Sequence, residues 1–265
     1  MLSVEGVFVN FGGVMAVANM SGDVAEQSIT SIIGPNGAGK TTLINVIAGA
    51  IIPTDGRVIF KGQDITNLPP HRVAESGIAR TYQNLRLFKH MTTFENVMVA
   101  RHIKTRSGFF SCALKLPLSR KDEKAIREKA WECLEFAGLT QWANMDALSM
   151  PFGRQRILEI ARALALEPAV VLLDEPAGGL NPQETETLAE LIHKIRSRGI
   201  TVLLIEHDMS LVMNISDRIM VLNYGRKIAE GPPAEIQRNH DVIEAYLGKS
   251  TSGAAQQTSR PEAAG

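Results

Sequence analysis
This chain is short of cysteine, of aromatic residues and of net charge. Its 265 residues include two cysteines, Cys112 and Cys133, far apart and in no metal-type spacing. Neither a disulfide framework nor a zinc site is indicated, and two reduced cytosolic thiols are expected. Aromatics make up only 5% of the chain, which argues against a base-stacking surface. Lys+Arg and Asp+Glu both number 28, so the formal charge is zero. That balance offers no bulk attraction to nucleic acid or to an anionic membrane. No apolar run approaches the roughly 18–20 residues needed to cross a bilayer. The opening Met1-Leu2-Ser3-Val4-Glu5 lacks the basic and apolar regions of a signal peptide. The expectation is a cytosolic globular protein that can sit on a membrane partner. Its length allows one large domain, or a core with a subdomain.

What is present is a complete phosphate-binding loop, Gly34-Pro35-Asn36-Gly37-Ala38-Gly39-Lys40-Thr41-Thr42. It follows the apolar run Ile29 to Ile33 and precedes a helical pattern from Leu43 to Ala48, with Gly49 as its stop. A triphosphate needs many donors close to its oxygens. Glycines let the backbone approach, and the exposed amides and dipole of the following helix attract the anion. Lys40 is expected to reach the β and γ phosphates, and the Thr41 hydroxyl to ligate Mg²⁺. A glycine-rich turn with a chance lysine is the competing reading, and the strand before and helix after weigh against it.

Elsewhere the chain alternates between strand and helix signals. Val4 to Phe11 and Arg57 to Lys61 alternate like strands beside turn glycines, suggesting an antiparallel β piece around the first βα unit. Thr92 with Glu95 reads as a capping box that opens a helix. Ser119 to Gly138 reads as a second helix, with Cys133 and Trp131 as packing residues. Apolar strands return at Ala169 to Leu173, Thr201 to Ile205 and Ile219 to Leu222, the first two continuous enough for a doubly covered parallel sheet. Asn181-Pro182 starts a helix running to about Arg198. The tail Ser250 to Gly265 has a disordered composition.

Two of these strands end in chemistry. Val170 to Leu173 runs into Asp174 and Glu175. Strand ends in open α/β sheets are where ligands bind. Asp174 can hold Mg²⁺ directly or through water, and Glu175 can take a proton from an attacking water. Thr201 to Ile205 runs into Glu206-His207-Asp208, where His207 can hold the γ-phosphate and that water together. The competing readings are an acidic turn and a structural histidine. The catalytic candidates are therefore Glu175, His207 and Lys40.

These pieces, in this order, resemble the ATPase subunit of an ATP-binding cassette (ABC) transporter over residues 1 to about 248. The resemblance implies an α/β fold: a P-loop (RecA-like) ATPase core with a mostly parallel sheet, an antiparallel β subdomain and an inserted helical subdomain. Residues 1–93 and 155–249 would form the core with its β subdomain, 94–154 the helical subdomain, and 250–265 a disordered tail. Phe11 matches the aromatic that stacks on adenine. Gln83, in Arg80-Thr81-Tyr82-Gln83-Asn84, matches the glutamine that senses Mg²⁺ and the transport partner. Gly153 and the residues after it match the end of the family signature, Gly179-Leu180-Asn181 the loop at the dimer interface, and His207 the switch histidine. One departure concerns the signature, usually Leu-Ser-Gly-Gly-Gln. Here the register of Gly153 gives Met150-Pro151-Phe152-Gly153-Arg154, so the donating serine is a proline with neither hydroxyl nor amide.

A narrower similarity is to one ATPase subunit of branched-chain amino acid ABC importers. It rests on the long segment Phe94 to Gly138, on Ala177 to Pro182, on Ile205 to Met213 and on the ending Val242 to Gly248. It implies ATP and Mg²⁺ as ligands and a second ATPase subunit closing head to tail. It also implies membrane permease subunits docking near Gln83 and residues 84–101, a periplasmic binding protein acting indirectly, no nucleic-acid partner, and a peripheral position on the cytoplasmic side of the inner membrane. Leu85, Phe88, Met91 and Phe94 would line the docking groove or fill the subdomain core. Three alternatives are a soluble ABC-type ATPase acting on nucleic acid or ribosomes, a non-enzymatic nucleotide-sensing module, which the intact Glu175 and His207 disfavour, and the ATPase of a lipid-exporting complex.

Overall fold
A computed structural model describes residues 1–101 and 117–247. The expected disordered tail lies outside the described residues. Two sheets organise the described residues. The smaller is antiparallel, in the order β2-β1-β4-β5, from β1 (Leu2–Phe11), β2 (Val14–Val24), β4 (Asp55–Phe60) and β5 (Gln63–Asp64). The larger has the order β10-β9-β3-β8-β7-β6. Its strands are β3 (Ile29–Ile33), β6 (Ile78–Arg80), β7 (Val170–Asp174), β8 (Thr201–Ile205), β9 (Arg218–Asn223) and β10 (Arg226–Gly231). All its pairings are parallel except β9 with β10. Every residue of β3, β7 and β8 is buried, which is why these strands read as unbroken apolar runs.

The helices are α1 (Lys40–Ile47), α2 (Pro70–Ser76), α3 (Thr93–Arg101), α4 (Pro117–Phe136), α5 (Phe152–Leu164), α6 (Pro182–Ser197), α7 (Met209–Ile215), α8 (Pro233–Ile236) and α9 (His240–Leu247). Side chains alternate across β7. Val171 and Leu173 join a core with Phe94, Val97, Ala130, Leu134 and Leu158 from the packed helices α3, α4 and α5. Val170 and Leu172 face the other core, shared with Val7, Val17, Leu43 and Phe60. The sheet is therefore clamped between the helical layer and the loop-bearing α1 with the antiparallel sheet.

Local signals place the helix starts. Glu95 N donates to Thr92 Oγ1 at 3.2 Å, and Thr92 N donates to Glu95 Oε2 at 2.8 Å, a reciprocal capping box. Asn181 and Glu184 make the same box at α6. The second expected helix starts two residues earlier, at Pro117, and its last helical residue is Phe136. Gly138 takes φ 67° beyond the end, the left-handed turn a glycine allows. Trp131 is 43% exposed rather than packed in the core, with its ring 4.9 Å from Phe94 at the edge of the helical layer.

Cys133 is buried on α4, and burial pushes its thiol up to about 11. The nucleophilic thiolate is therefore scarce at mildly alkaline pH. Native protein treated with iodoacetamide is expected to leave the Cys133 peptide unmodified, whereas concentrated urea should expose it to rapid alkylation. Peptide mass mapping checks this, and fast labelling of the folded chain would contradict the burial argument.

Candidate active site
β3 turns directly into the glycine-rich loop, and the loop is shaped by its neighbours. Gly34 has φ 149°, and a Cβ there would fall 2.0 Å from the Leu222 carbonyl oxygen on β9. Gly39 has φ 96°, and its Cβ would lie 2.3 Å from the Ala16 carbonyl oxygen on β2. Only glycine allows both the dihedral and the approach. α1 then begins at Lys40 with no side-chain cap. Its first-turn amides point into the loop, a ready anion site. Lys40 is buried, and its Nζ donates to Gly34 O at 2.8 Å and Pro35 O at 3.0 Å. The third N–H has no partner among the described residues. Burial holds this ammonium below its ordinary range, while Glu175 and Asp174 pull it back up. Thr41 is exposed beside it.

Because β3, β8 and β7 are parallel neighbours, their C-terminal ends share one edge. Asp174 closes β7 at 2% exposure. Its Oδ2 accepts from an Arg80 guanidinium nitrogen at 3.0 Å. Its Oδ1 is buried without a hydrogen-bond partner among the described residues. Burial pushes this carboxyl up, and Arg80 is the main force opposing that.

Glu175 follows with φ 49°, a left-handed conformation that is uncommon for a non-glycine residue. Its amide donates to Ile205 O at 2.9 Å, which fixes the turn against β8. Its Oε2 accepts from Gln83 Nε2 at 2.7 Å. Its Oε1 lies 2.7 Å from His207 Nε2, which donates in the tautomer protonated there. Backbone strain held by surrounding bonds is typical of functional positions.

The structure thus brings Lys40, Asp174, Glu175, Gln83 and His207 to one place. Two expected site residues lie on other elements. Phe11 is half exposed at the end of β1, in the antiparallel sheet. Gly153 is buried near the start of α5, where an added Cβ would meet the Glu184 carboxylate at 2.4 Å. Its neighbour Phe152 is 44% exposed and packs near Gly179. Pro151 caps α5 without any side-chain bond.

A cavity of about 900 Å³ flanks the loop, between Pro35–Ala38, Tyr224 and α9. Asp241 and Glu244 line its far wall. Two carboxylates on this wall would repel a phosphate, in contrast to the Lys40 side.

Two residues with clear structural roles carried no role in the sequence reading. Glu206 is buried, accepting from Ala177 N at 2.7 Å and His207 N at 2.9 Å. It ties the loop after Glu175 to the turn that aims His207. Its position at the end of an apolar strand was the available signal. Arg80 is the other, and its signal was a charged residue ending a short buried strand.

A family model described as ABC transporter matches residues 17–178, and one described as branched-chain amino acid ATP-binding cassette transporter matches residues 226–251. The chain is 48% identical over 250 residues to the high-affinity branched-chain amino acid transport ATP-binding protein BraF of Pseudomonas aeruginosa, covering 94% of this chain and 98% of BraF. It is 47% identical over 251 residues to the corresponding LivG protein of Escherichia coli, at the same coverage. Among solved structures it is similar to the ADP conformation of an ATP-binding cassette of an ABC transporter, with TM-score 0.82 and 33% identity over 94% of this chain and 99% of that one. With a phosphate loop, two strand-end carboxylates and this degree of identity along nearly the whole chain, the protein belongs to the ABC transporter family and is one of its ATP-hydrolysing, ATP-binding subunits.

Proposed function
We propose that this chain powers a membrane importer of branched-chain or related amino acids by hydrolysing ATP. The observation that carries the catalytic half is Glu175, held between Gln83 and His207 at a strand end beside Lys40. The identity to BraF and LivG supports the cargo and favours an importer over a nucleic-acid ATPase or a lipid exporter.

In this reading Gly34 to Thr42 grip the triphosphate through main-chain amides, and Lys40 offsets charge on the β and γ phosphates. Phe11 offers its half-exposed ring to adenine. Magnesium fits the site: the partnerless, buried Asp174 Oδ1 is an oxygen that a cation or its water would satisfy, and the Thr41 hydroxyl would be a second ligand. Bound with the nucleotide, the ion would polarise the transferring phosphoryl group. Gln83 orients Glu175 and would be a further oxygen ligand for the cation. Glu175 accepts the proton of the attacking water, and His207 steadies that carboxylate and the γ-phosphate. Phosphoryl transfer needs positioning and charge stabilisation more than covalent chemistry, and these residues supply both.

By family resemblance, the segment at Gly153 serves the nucleotide of a second ATPase subunit arranged head to tail. The membrane subunits dock near Gln83 and residues 84–101. There Phe88 is 42% exposed and suited to a partner, whereas Phe94 is 8% exposed and belongs to the core. A periplasmic binding protein acts through those subunits, and the chain sits peripherally on the cytoplasmic face of the membrane. No helix among the described residues is long and apolar enough to cross a membrane.

The test is reconstitution of the chain with its membrane subunits in liposomes. A leucine-loaded binding protein is expected to stimulate phosphate release and drive leucine uptake, with an acidic amino acid as the inactive control. ATP turnover indifferent to any apolar amino acid would overturn the cargo assignment.

A further inference from the structure
We propose that Arg80 is a positioning residue for the metal-binding carboxylate: it fixes one oxygen of Asp174 and leaves the other presented to the nucleotide's cation. The inference rests on the nucleotide reading above.

The geometry is a two-point clamp. One terminal nitrogen of the Arg80 guanidinium donates to Asp174 Oδ2 at 3.0 Å, and the other donates to Asn45 Oδ1 at 2.6 Å. Asn45 lies on α1, the helix that carries Lys40 and Thr41. A single rigid fork therefore spans the phosphate-loop helix and the end of β7. The ion pair is nearly sealed, with side-chain exposures of 11% for Arg80 and 2% for Asp174. Backbone pairing sets the reach. Arg80 is opposite Leu172 in the β6–β7 register, and Thr81 N donates to Leu172 O at 2.9 Å. Asp174 Oδ1 is left buried and without a partner among the described residues, and one such oxygen is what an octahedral cation or its inner water requires. Carboxylates that ligate metals are themselves commonly oriented by outer hydrogen bonds.

Arg80 also borders the groove assigned to the membrane subunits. A cleft of about 300 Å³ is lined by Arg80, Tyr82, Arg86, Phe88 and Arg162, among others. The Tyr82 ring has the Arg80 guanidinium 5.2 Å from its centroid and that of Arg86 at 4.7 Å. One side chain thus touches Asp174 and the wall of the docking groove.

A purely structural ion pair would matter only for stability, since removing one partner of a buried pair strands the other. The two roles separate in metal dependence. The experiment uses the purified full chain, a fluorescent ATP analogue and Mn²⁺ followed by electron paramagnetic resonance. Arg80→Gln is expected to bind the nucleotide in EDTA like the parent, within about twofold, and to need about 10-fold more Mn²⁺ for half-saturation of the nucleotide complex. Asn45→Ala, which removes the second anchor, should shift the Mn²⁺ requirement the same way but less. Arg80→Lys keeps the charge without the fork and should fall between. Arg86→Gln, in the groove but away from Asp174, should leave Mn²⁺ binding unchanged. If the folded variants lose thermal stability with unaltered Mn²⁺ dependence, the positioning role is overturned. If the parent chain binds no nucleotide with Mn²⁺ or without it, the nucleotide reading itself fails, and this proposal with it. Should Arg80→Gln not fold, the Asn45→Ala and Arg80→Lys chains decide the matter by the same readout.

Discussion

Replacing Lys40 with alanine is expected to reduce phosphate release by about 10³-fold, the scale of losing one preorganised donor at developing charge. The reason lies in the charge around the loop. Asp174 and Glu175 both act on the Lys40 ammonium. A triphosphate entering beside two carboxylates needs a fixed cation, and alanine removes it. Nucleotide affinity should fall as well, because loop amides alone remain to meet the β and γ oxygens. Stability should move the other way. The folded chain holds Lys40 below its ordinary protonation range, so between the folded and unfolded values the unfolded state binds more protons. Stability therefore rises with pH through that window, and the protonated lysine is a cost at neutral pH. Lys40→Ala is expected to melt no lower than the parent while losing turnover. Phosphate release and a thermal melt on the same preparation check both halves. A large drop in melting temperature would show that Lys40 holds the loop together through its bonds to Gly34 and Pro35.

The second large effect is expected at Glu175. Changing it to glutamine keeps the size and the ability to bond Gln83 and His207, but removes the proton acceptor. Turnover should fall by about 10²–10⁴-fold, the range of a general base, while nucleotide affinity stays within about twofold. That separation distinguishes chemistry from binding. Loss of affinity together with rate would instead make Glu175 part of the binding cradle. Parent-like turnover would remove it from the base role altogether.

Features set by adjacent residues were legible in the sequence. The phosphate loop is one, because dihedral freedom, amide exposure and the helix start all lie within Gly34 to Thr42. The capping box at Thr92 and the helix start at Asn181-Pro182 are others, each set within a few residues. β7 and β8 were legible because burial on both faces leaves an unbroken apolar run. β2 was not, since its pairing with β1 is interrupted by register shifts around Val7 and Val9, and the period-two alternation is lost. The terminal helices α8 and α9 are short, and the first starts from Pro232-Pro233, which gives little periodic signal. The site's bonding was the least legible part. Gln83 to Glu175 and Arg80 to Asp174 join residues more than ninety positions apart, and only the parallel register of β6 on β7 brings them together. Gln83 came instead from family resemblance, and Arg80 from neither source.

The most direct measurement is a crystal structure of the Glu175→Gln chain with ATP and Mn²⁺, the ion located by its anomalous signal. The account predicts phosphates wrapped by Gly34 to Thr42, the metal about 2.1 Å from the Thr41 hydroxyl oxygen, and Asp174 Oδ1 facing it directly or through one water. Nucleotide seated in the cavity beside Asp241 and Glu244, or a metal remote from Asp174, would contradict it.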